Sequence, residues 1–246
     1  AGAPPSEAML EKMEAMNFNI THVYGLTEVY GPVTICAEHD EWQQLSVSER
    51  ASKKSRQGTA SHLMTGFEVL RQGTNEPVAA DGLEMGELAL KGNMVMKGYL
   101  KNPKATEEAF EGGWFRTGDL GVKHADGYIK IMDRLKDIII SGGENISSIE
   151  IENALYKMPE VSSCGVVAAS NDKWGEVPVA FIEIAQSATL TRDQVVEHCR
   201  QHLAKFKVPK HVIFCEIPKT STGKIQKFEL RNAAQSMANE EPKVMH

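Results

Sequence analysis

Apolar residues recur along this chain at two periods, and the change from one to the other divides it. Behind Ser6, an N-cap candidate, Ala8, Met9, Met13 and Met16 follow at helical spacing and predict a short helix to about Met16. Ile20 to Tyr24 predicts a strand entering a loop at Gly25, and the polar stretch from Trp42 to Arg56 predicts an irregular surface excursion. From Phe67 to Leu90, β-like runs at Phe67–Leu70 and Gly86–Leu90 alternate with the turn residues Asn75, Pro77, Asp81 and Gly82, the texture of a β-meander or barrel. A further alternating run, Gly127 to Met132, opens on the turn pair Asp126-Gly127.

After Ile149 the period lengthens. Ile151, Ala154, Leu155 and Met158 predict a helix ended by Pro159, and Val166–Ala168 and Val179–Ile182 predict strands. Thr191 and Gln194 form a capping box for a helix that carries Val195, Val196, Cys199, Leu203 and Phe206 and stops before Pro209. The expected fold class is α+β, a β-rich part followed by a small α+β domain. The charged connection Asp133-Arg134-Leu135-Lys136-Asp137 is the natural boundary between them.

Composition narrows the function classes. With 41% hydrophobic and 24% charged residues over 246 positions, the chain is ordinary globular material. No apolar run approaches the ~20 residues that cross a bilayer. A net charge of −6 argues against a nucleic-acid partner, because phosphate binding needs clustered cations. The four cysteines, Cys36, Cys164, Cys199 and Cys215, form no CxxC pair, so neither a zinc knuckle nor a redox motif is readable. A reducing compartment fits them, with the cytoplasm as the default expectation. The chain starts at Ala1-Gly2-Ala3-Pro4 without an initiator Met, and a processed, truncated or incompletely recorded product is the expectation.

Four segments carry candidate chemistry. In Tyr24-Gly25-Leu26-Thr27-Glu28, a hydroxyl able to bond a phosphate oxygen stands beside a carboxylate able to hold Mg²⁺; a plain strand-to-loop turn is the alternative. In Gly113 to Leu120, Asp119 sits among glycines where a carboxylate can accept from a ribose diol, or simply closes an Asx turn. Lys219 to Lys227 is rich in hydroxyls, glycine and lysine and suits an anion. It is not a Walker loop, since Pro218 holds the first glycine position, and a solvated surface loop is the alternative. Ser141-Gly142-Gly143-Glu144-Asn145 leaves an apolar strand through a glycine pair, open to close ligand approach or to an ordinary tight turn. His198 and His202 have a metal-compatible spacing without a third ligand, and satisfied or solvent-facing histidines are the favoured reading.

Taken in order, Ala1 to Pro4, Tyr24 to Glu28, Gly86-Glu87-Leu88 through Gly98-Tyr99 and Asn102-Pro103, Trp114 to Leu120, Asp133 to Asn145 and Lys219 to Lys227 resemble the successive core motifs of the adenylate-forming superfamily. Within it the text is most similar to acyl-CoA synthetases for short or medium fatty acids or aromatic acids. The resemblance implies that residues 1–133 end a large AMP-binding domain and that 134–246 form a small mobile domain, with a hinge near 134–137 at Lys136. It implies ATP, Mg²⁺ and coenzyme A as cofactors and a small carboxylic acid as substrate. Gly2, Ala3 and Pro4 would contact adenine, with Tyr24 and Gly25 in the same nucleotide site. Thr27 would meet the α-phosphate, Glu28 Mg²⁺, Asp119 the ribose hydroxyls and Arg134 ribose or phosphate. Lys224 would reach the α-phosphate and the acyl carboxylate, and Gly142 and Gly143 would line the pantetheine tunnel. The family's glycine- and serine-rich phosphate loop is absent from this text, so the missing N-terminal half is an expected partner. A non-catalytic AMP- or CoA-binding fragment and an adenylating enzyme with another acceptor are the alternatives.

Overall fold

The computed structural model describes residues 4–221 and 223–240, with side chains to 236. The chain divides into two compact units, Ala1–Lys136 and Asp137–His246.

In the first unit, helix α1 (Glu7–Ala15) starts at Ser6, whose side chain accepts from the Met9 amide at 3.2 Å, as the sequence predicts. Strands β1 (Val23–Leu26), β2 (Gly31–Ile35) and β3 (Thr59–Ala60) form an antiparallel sheet in that order. The strand expected to stop at Tyr24 instead runs through Gly25, with a register shift between the two residues. Strands β4 (Met64–Leu70), β5 (Met85–Gly92), β6 (Phe115–Lys123) and β7 (Ile129–Arg134) form the expected meander. Its buried face, with Val69, Leu88, Leu90, Phe115 and Ile129, packs with Val29 and Val33.

The stretch from Trp42 to Arg56 is not irregular. It holds helix α2 (Val47–Lys54), opened by a full capping box between Ser46 and Glu49. Only Ala51 and Lys54 of this helix are buried, so it has no apolar stripe for periodicity to detect. The burial comes from its flanks. Arg56, 4% exposed, makes bonds of 2.9 and 2.8 Å to Asp126 and lies 4.4 and 5.4 Å from the Tyr128 and Trp42 rings. Helix α3 (Pro103–Ala109), which periodicity does not reveal, is capped by Asn102, with Pro103 in its first turn.

The second unit contains β8 (Ile139–Ser141), β9 (Glu144–Ile146), helix α4 (Ser148–Leu155), β10 (Val161–Asn171), β11 (Gly175–Ile184), helix α5 (Arg192–His202), β12 (His211–Phe214) and helix α6 (Lys227–Glu240). The sheet order is β10-β11-β8-β9, with β12 parallel to β11. Both faces of the central strands are covered. Cys164, Val166, Ala180 and Ile182 pack with Ile151, Leu155, Val195 and Cys199 of α4 and α5. The intervening Val167, Val179 and Phe181 pack with Leu230 and Ala234 of α6. That is why β10 and β11 read as nearly continuous apolar runs. Gly165 allows the second contact, because a Cβ there would stand 2.5 Å from Leu230 Cδ1. The Thr191–Gln194 capping box forms as expected, but α5 ends at His202 and leaves Phe206 in a separate single turn. Among the described residues, no helix is long and apolar enough to cross a membrane.

Candidate functional site

The first unit gathers one group of the predicted residues on β1 and the β6–β7 pair. Gly25 is dictated by backbone approach, since a Cβ on it would lie 1.9 Å from the Gly31 carbonyl oxygen. The chain then turns through the single 3-10 turn Thr27–Val29, which leaves Thr27 exposed and Glu28 half-buried. The Glu28 carbonyl accepts from the Met96 amide at 2.7 Å, and Glu28 Oε1 accepts from the Tyr99 hydroxyl at 3.1 Å. Burial, then the Glu28 carboxylate, raise the Tyr99 phenol above its ordinary value. The Glu28 carboxylate, held through one oxygen, suits Mg²⁺, which binds through one or two carboxylates and otherwise through water and substrate phosphates.

Asp119 is the buried charge of this group, at 3% exposure. It lies in strand β6 and not in the turn that its glycine neighbours suggest, because β6 continues through Gly118 to pair with β7. Asp119 and Arg134 stand directly opposite in that ladder, with Arg134 Nε 3.2 Å from Asp119 Oδ1. From β1 the Tyr24 hydroxyl donates to Asp119 Oδ2 at 2.6 Å. Burial, then the Asp119 carboxylate, hold the Tyr24 phenol well above its usual range. Tyr24 therefore serves as a neutral donor. Gly118, at φ +71°, gives its amide to Glu87 Oε1 at 2.9 Å and accepts from the Leu135 amide at 2.8 Å. Beside it lies an open depression of about 360 Å³ lined by Thr117, Gly118, Arg134, Leu135 and Lys136.

The second unit holds the other group. Gly142 and Gly143, at φ +61° and +86°, form the two-residue turn of the β8–β9 hairpin, in which Ser141 pairs with Glu144. The Gly142 amide donates to the Trp174 carbonyl at 2.8 Å, and a Cβ on Gly142 would meet the Trp174 ring at 3.0 Å. A Cβ on Gly143 would meet nothing within 4 Å. Lys224 lies in the turn before α6 and is exposed.

Pro4 is exposed, while Gly2 and Ala3 lie outside the described residues. His198 and His202 stack at 4.2 Å, and His198 Nε2 is 2.9 Å from the Ala154 carbonyl oxygen. Among the described residues no group of three or more metal-ligating side chains occurs. Sequence reasoning did not single out Tyr99 or Glu87 for the contacts they make. Tyr99 is visible only as part of Gly98-Tyr99, and nothing local connects its hydroxyl to a carboxylate 71 positions away.

Comparison with known proteins covers most of the chain. The AMP-binding enzyme family matches residues 1–100, and the AMP-binding enzyme C-terminal domain family matches residues 150–224. The chain is 49% identical to acetate–CoA ligase CCL3 of Humulus lupulus, over 96% of this chain and 43% of that protein. It is 47% identical to the peroxisomal acetate/butyrate–CoA ligase AAE7 of Arabidopsis thaliana, over 96% of this chain and 42% of that protein. Among solved structures, ATP-bound MatB from Rhodopseudomonas palustris matches with a TM-score of 0.83 and 29% identity, over 96% of this chain and 44% of that one. The chain thus spans less than half the length of the relatives it matches. It belongs to the adenylate-forming superfamily of AMP-binding enzymes and carries the C-terminal part of their common architecture.

Proposed function

We propose that this chain is the C-terminal part of an ATP-dependent carboxylate–CoA ligase, which converts a short- or medium-chain fatty acid or an aromatic acid to an acyl-adenylate and then to a thioester. The observation that carries the reading is the buried Asp119 carboxylate, aligned by Tyr24 and Arg134, with Gly118 and Arg134 lining an open depression next to it. In this reading Asp119 is the carboxylate that accepts from the two hydroxyls of the ribose.

In this reading residues 1–133 complete the nucleotide-binding domain, with Gly2, Ala3, Pro4, Tyr24 and Gly25 around the nucleotide. Thr27 donates its hydroxyl to the α-phosphate, and Arg134 meets ribose or phosphate. Glu28, whose Oε1 accepts from the Tyr99 hydroxyl, would hold Mg²⁺, and the ion would supply neutralisation of phosphate charge. One oxygen of the substrate carboxylate bonds to the α-phosphorus, the bond from that phosphorus to the bridging oxygen breaks, and pyrophosphate leaves. Lys224 offsets the negative charge that gathers there, a contribution worth roughly 10²-fold or more in rate. In the second step the thiol sulfur of coenzyme A bonds to the acyl carbon, the acyl–phosphate oxygen bond breaks, AMP leaves, and the thiol proton passes to solvent. The side-chain-free turn at Gly142 and Gly143, open at Gly143, suits passage of the pantetheine arm. Residues 134–246 act as the small domain, and Lys136 is its hinge, so that Lys224 serves the first step and Gly143 the second.

The test is ATP–pyrophosphate exchange by the full-length enzyme with a panel of short, medium-chain and aromatic acids, in parallel with Lys224→Ala. Exchange that depends on one class of acid and falls sharply in the variant supports the reading. Exchange without any CoA-dependent product would replace CoA by another acceptor, and nucleotide binding without exchange would leave a non-catalytic protein. The cytoplasm is kept as the proposed compartment, and fractionation of the full-length protein decides between it and the peroxisome named for the Arabidopsis relative.

A further inference from the structure

The segment from Lys219 to Lys227 contains three lysines, and their ammonium groups have different surroundings. Lys219 Nζ lies 2.9 Å from Glu183 Oε2 on β11. Lys227 Nζ lies 2.7 Å from Glu152 Oε1 and donates to Ser148 Oγ at 2.6 Å, both on α4. Lys224, between them, is exposed and makes no ion pair among the described residues.

The two anchors differ in strength. The side chains of Lys227 and Glu152 are only 17% and 12% exposed, against 34% and 27% for Lys219 and Glu183. Glu152 is itself fixed, because its Oε1 accepts from the Val166 amide of β10 at 2.8 Å. Lys227 is therefore tied to a carboxylate that the sheet holds in place. Between the anchors the backbone closes on itself: the Thr220 amide donates to the Lys224 carbonyl at 2.8 Å, and the Gly223 amide to the Thr220 carbonyl at 2.9 Å. The Lys224 amide also reaches Thr220 Oγ1 at 3.1 Å. Gly223, at φ +82°, supplies the left-handed residue that this turn requires.

A lysine is a compact charge on a flexible stem, so its usefulness in a reaction depends on where its Cα points. We propose that Lys227 is a positioning residue for Lys224: its bonds to Glu152 and Ser148, seconded by the Lys219–Glu183 pair, clasp the loop at both ends and set the direction of Lys224 while leaving its charge unquenched. The inference rests on the role given above to Lys224 in adenylation.

The experiment measures both half-reactions of the full-length enzyme, pyrophosphate exchange and thioester formation from supplied acyl-adenylate, in Lys224→Ala, Lys227→Ala and Lys227→Arg. Lys227→Ala is expected to lower exchange by roughly 10- to 100-fold, the scale of a small misplacement at a reacting centre, with thioester formation unchanged and with Lys227→Arg restoring most of the exchange. The pair Lys227→Met with Glu152→Gln removes both charges together and avoids leaving a lone carboxylate at a largely buried site, so it keeps the test open if Lys227→Ala folds poorly. It is expected to show the same selective loss at an unchanged melting temperature. Equal loss in both half-reactions, which a merely structural role would give, overturns the proposal. So does wild-type exchange in a folded Lys227 variant while Lys224→Ala is inactive. Full exchange by Lys224→Ala would instead remove the role of Lys224, and this inference with it.

Discussion

Replacing Tyr24 by Phe removes one hydroxyl and leaves the ring packed where it is. The hydroxyl lies 2.6 Å from Asp119 Oδ2, and the two residues are 9% and 3% exposed. A charge-assisted hydrogen bond in such surroundings contributes about 1.5–3 kcal/mol. For a protein of this size that corresponds to a drop in Tm of roughly 3–12 °C. Arg134 meets the same carboxylate from the other side at 3.2 Å, but its side chain is 43% exposed. Solvent screening holds that pair below about 1 kcal/mol, so Arg134→Gln should cost clearly less than Tyr24→Phe. The pH dependence has a definite sign. Because the Tyr24 phenol is held above its usual range, it stays protonated in the native state where the unfolded chain ionises. Its contribution is fully present below the free phenol's pKa of about 10 and is lost as the pH rises beyond that value, so the wild-type and Phe curves converge in alkali. Thermal melts of the three proteins from neutral to alkaline pH give the comparison. If Arg134→Gln destabilises as much as Tyr24→Phe at pH 7, or Tyr24→Phe melts with the wild type, the account of Asp119 as a carboxylate held chiefly by the phenol is wrong.

Further outcomes follow from single contacts. Gly25→Ala drives a Cβ into the backbone at Gly31 and Pro32, which cannot yield as a side chain would, and is expected to cost about 3 kcal/mol or more. Gly143→Ala meets no atom within 4 Å and should cost only the left-handed strain of about 1–2 kcal/mol; denaturant titration distinguishes the two. In thiol labelling of the native protein, Cys36 and Cys199, each pushed up to about 11 by burial, and the buried Cys164, raised further by burial and by Glu152, should stay unmodified. Exposed Cys215, raised by burial and then by Glu183, should label alone and speed up as the pH rises past the ordinary thiol value; mass spectrometry of the adducts reads this directly. Burial alone would raise the Asp126 carboxyl, but hydrogen bonds from Arg56 and the Tyr128 amide prevail and lower it. Its contribution is present above the free carboxyl pKa of about 3.9 and lost as the pH falls through the lower native value. Asp126→Asn should therefore destabilise at neutral pH and cease to matter in acid below the lowered native value, which acid titration of the melting temperature can check.

Local chemistry in the sequence was enough for the features that depend on neighbours in the chain. The Thr191–Gln194 box opens its helix, Ser6 caps α1, the alternating runs form the meander, and the paired glycines at 142–143 make the turn that their positive φ requires. In each case the determining partners lie within a few residues, and their order along the chain also carries the family likeness. Helix α2 was legible in principle from Ser46 and Glu49, but its near-absence of an apolar stripe hid it from periodicity. The remaining features needed the folded chain. That Asp119 belongs to a strand, that Tyr24 donates to it across 95 positions, that Tyr99 reaches Glu28, and that Lys227 is held by Glu152 are facts about long-range register. A hydroxyl or an ammonium looks the same in a sequence whether it faces solvent or a buried carboxylate, and only packing decides which lysine of three is left with its charge exposed.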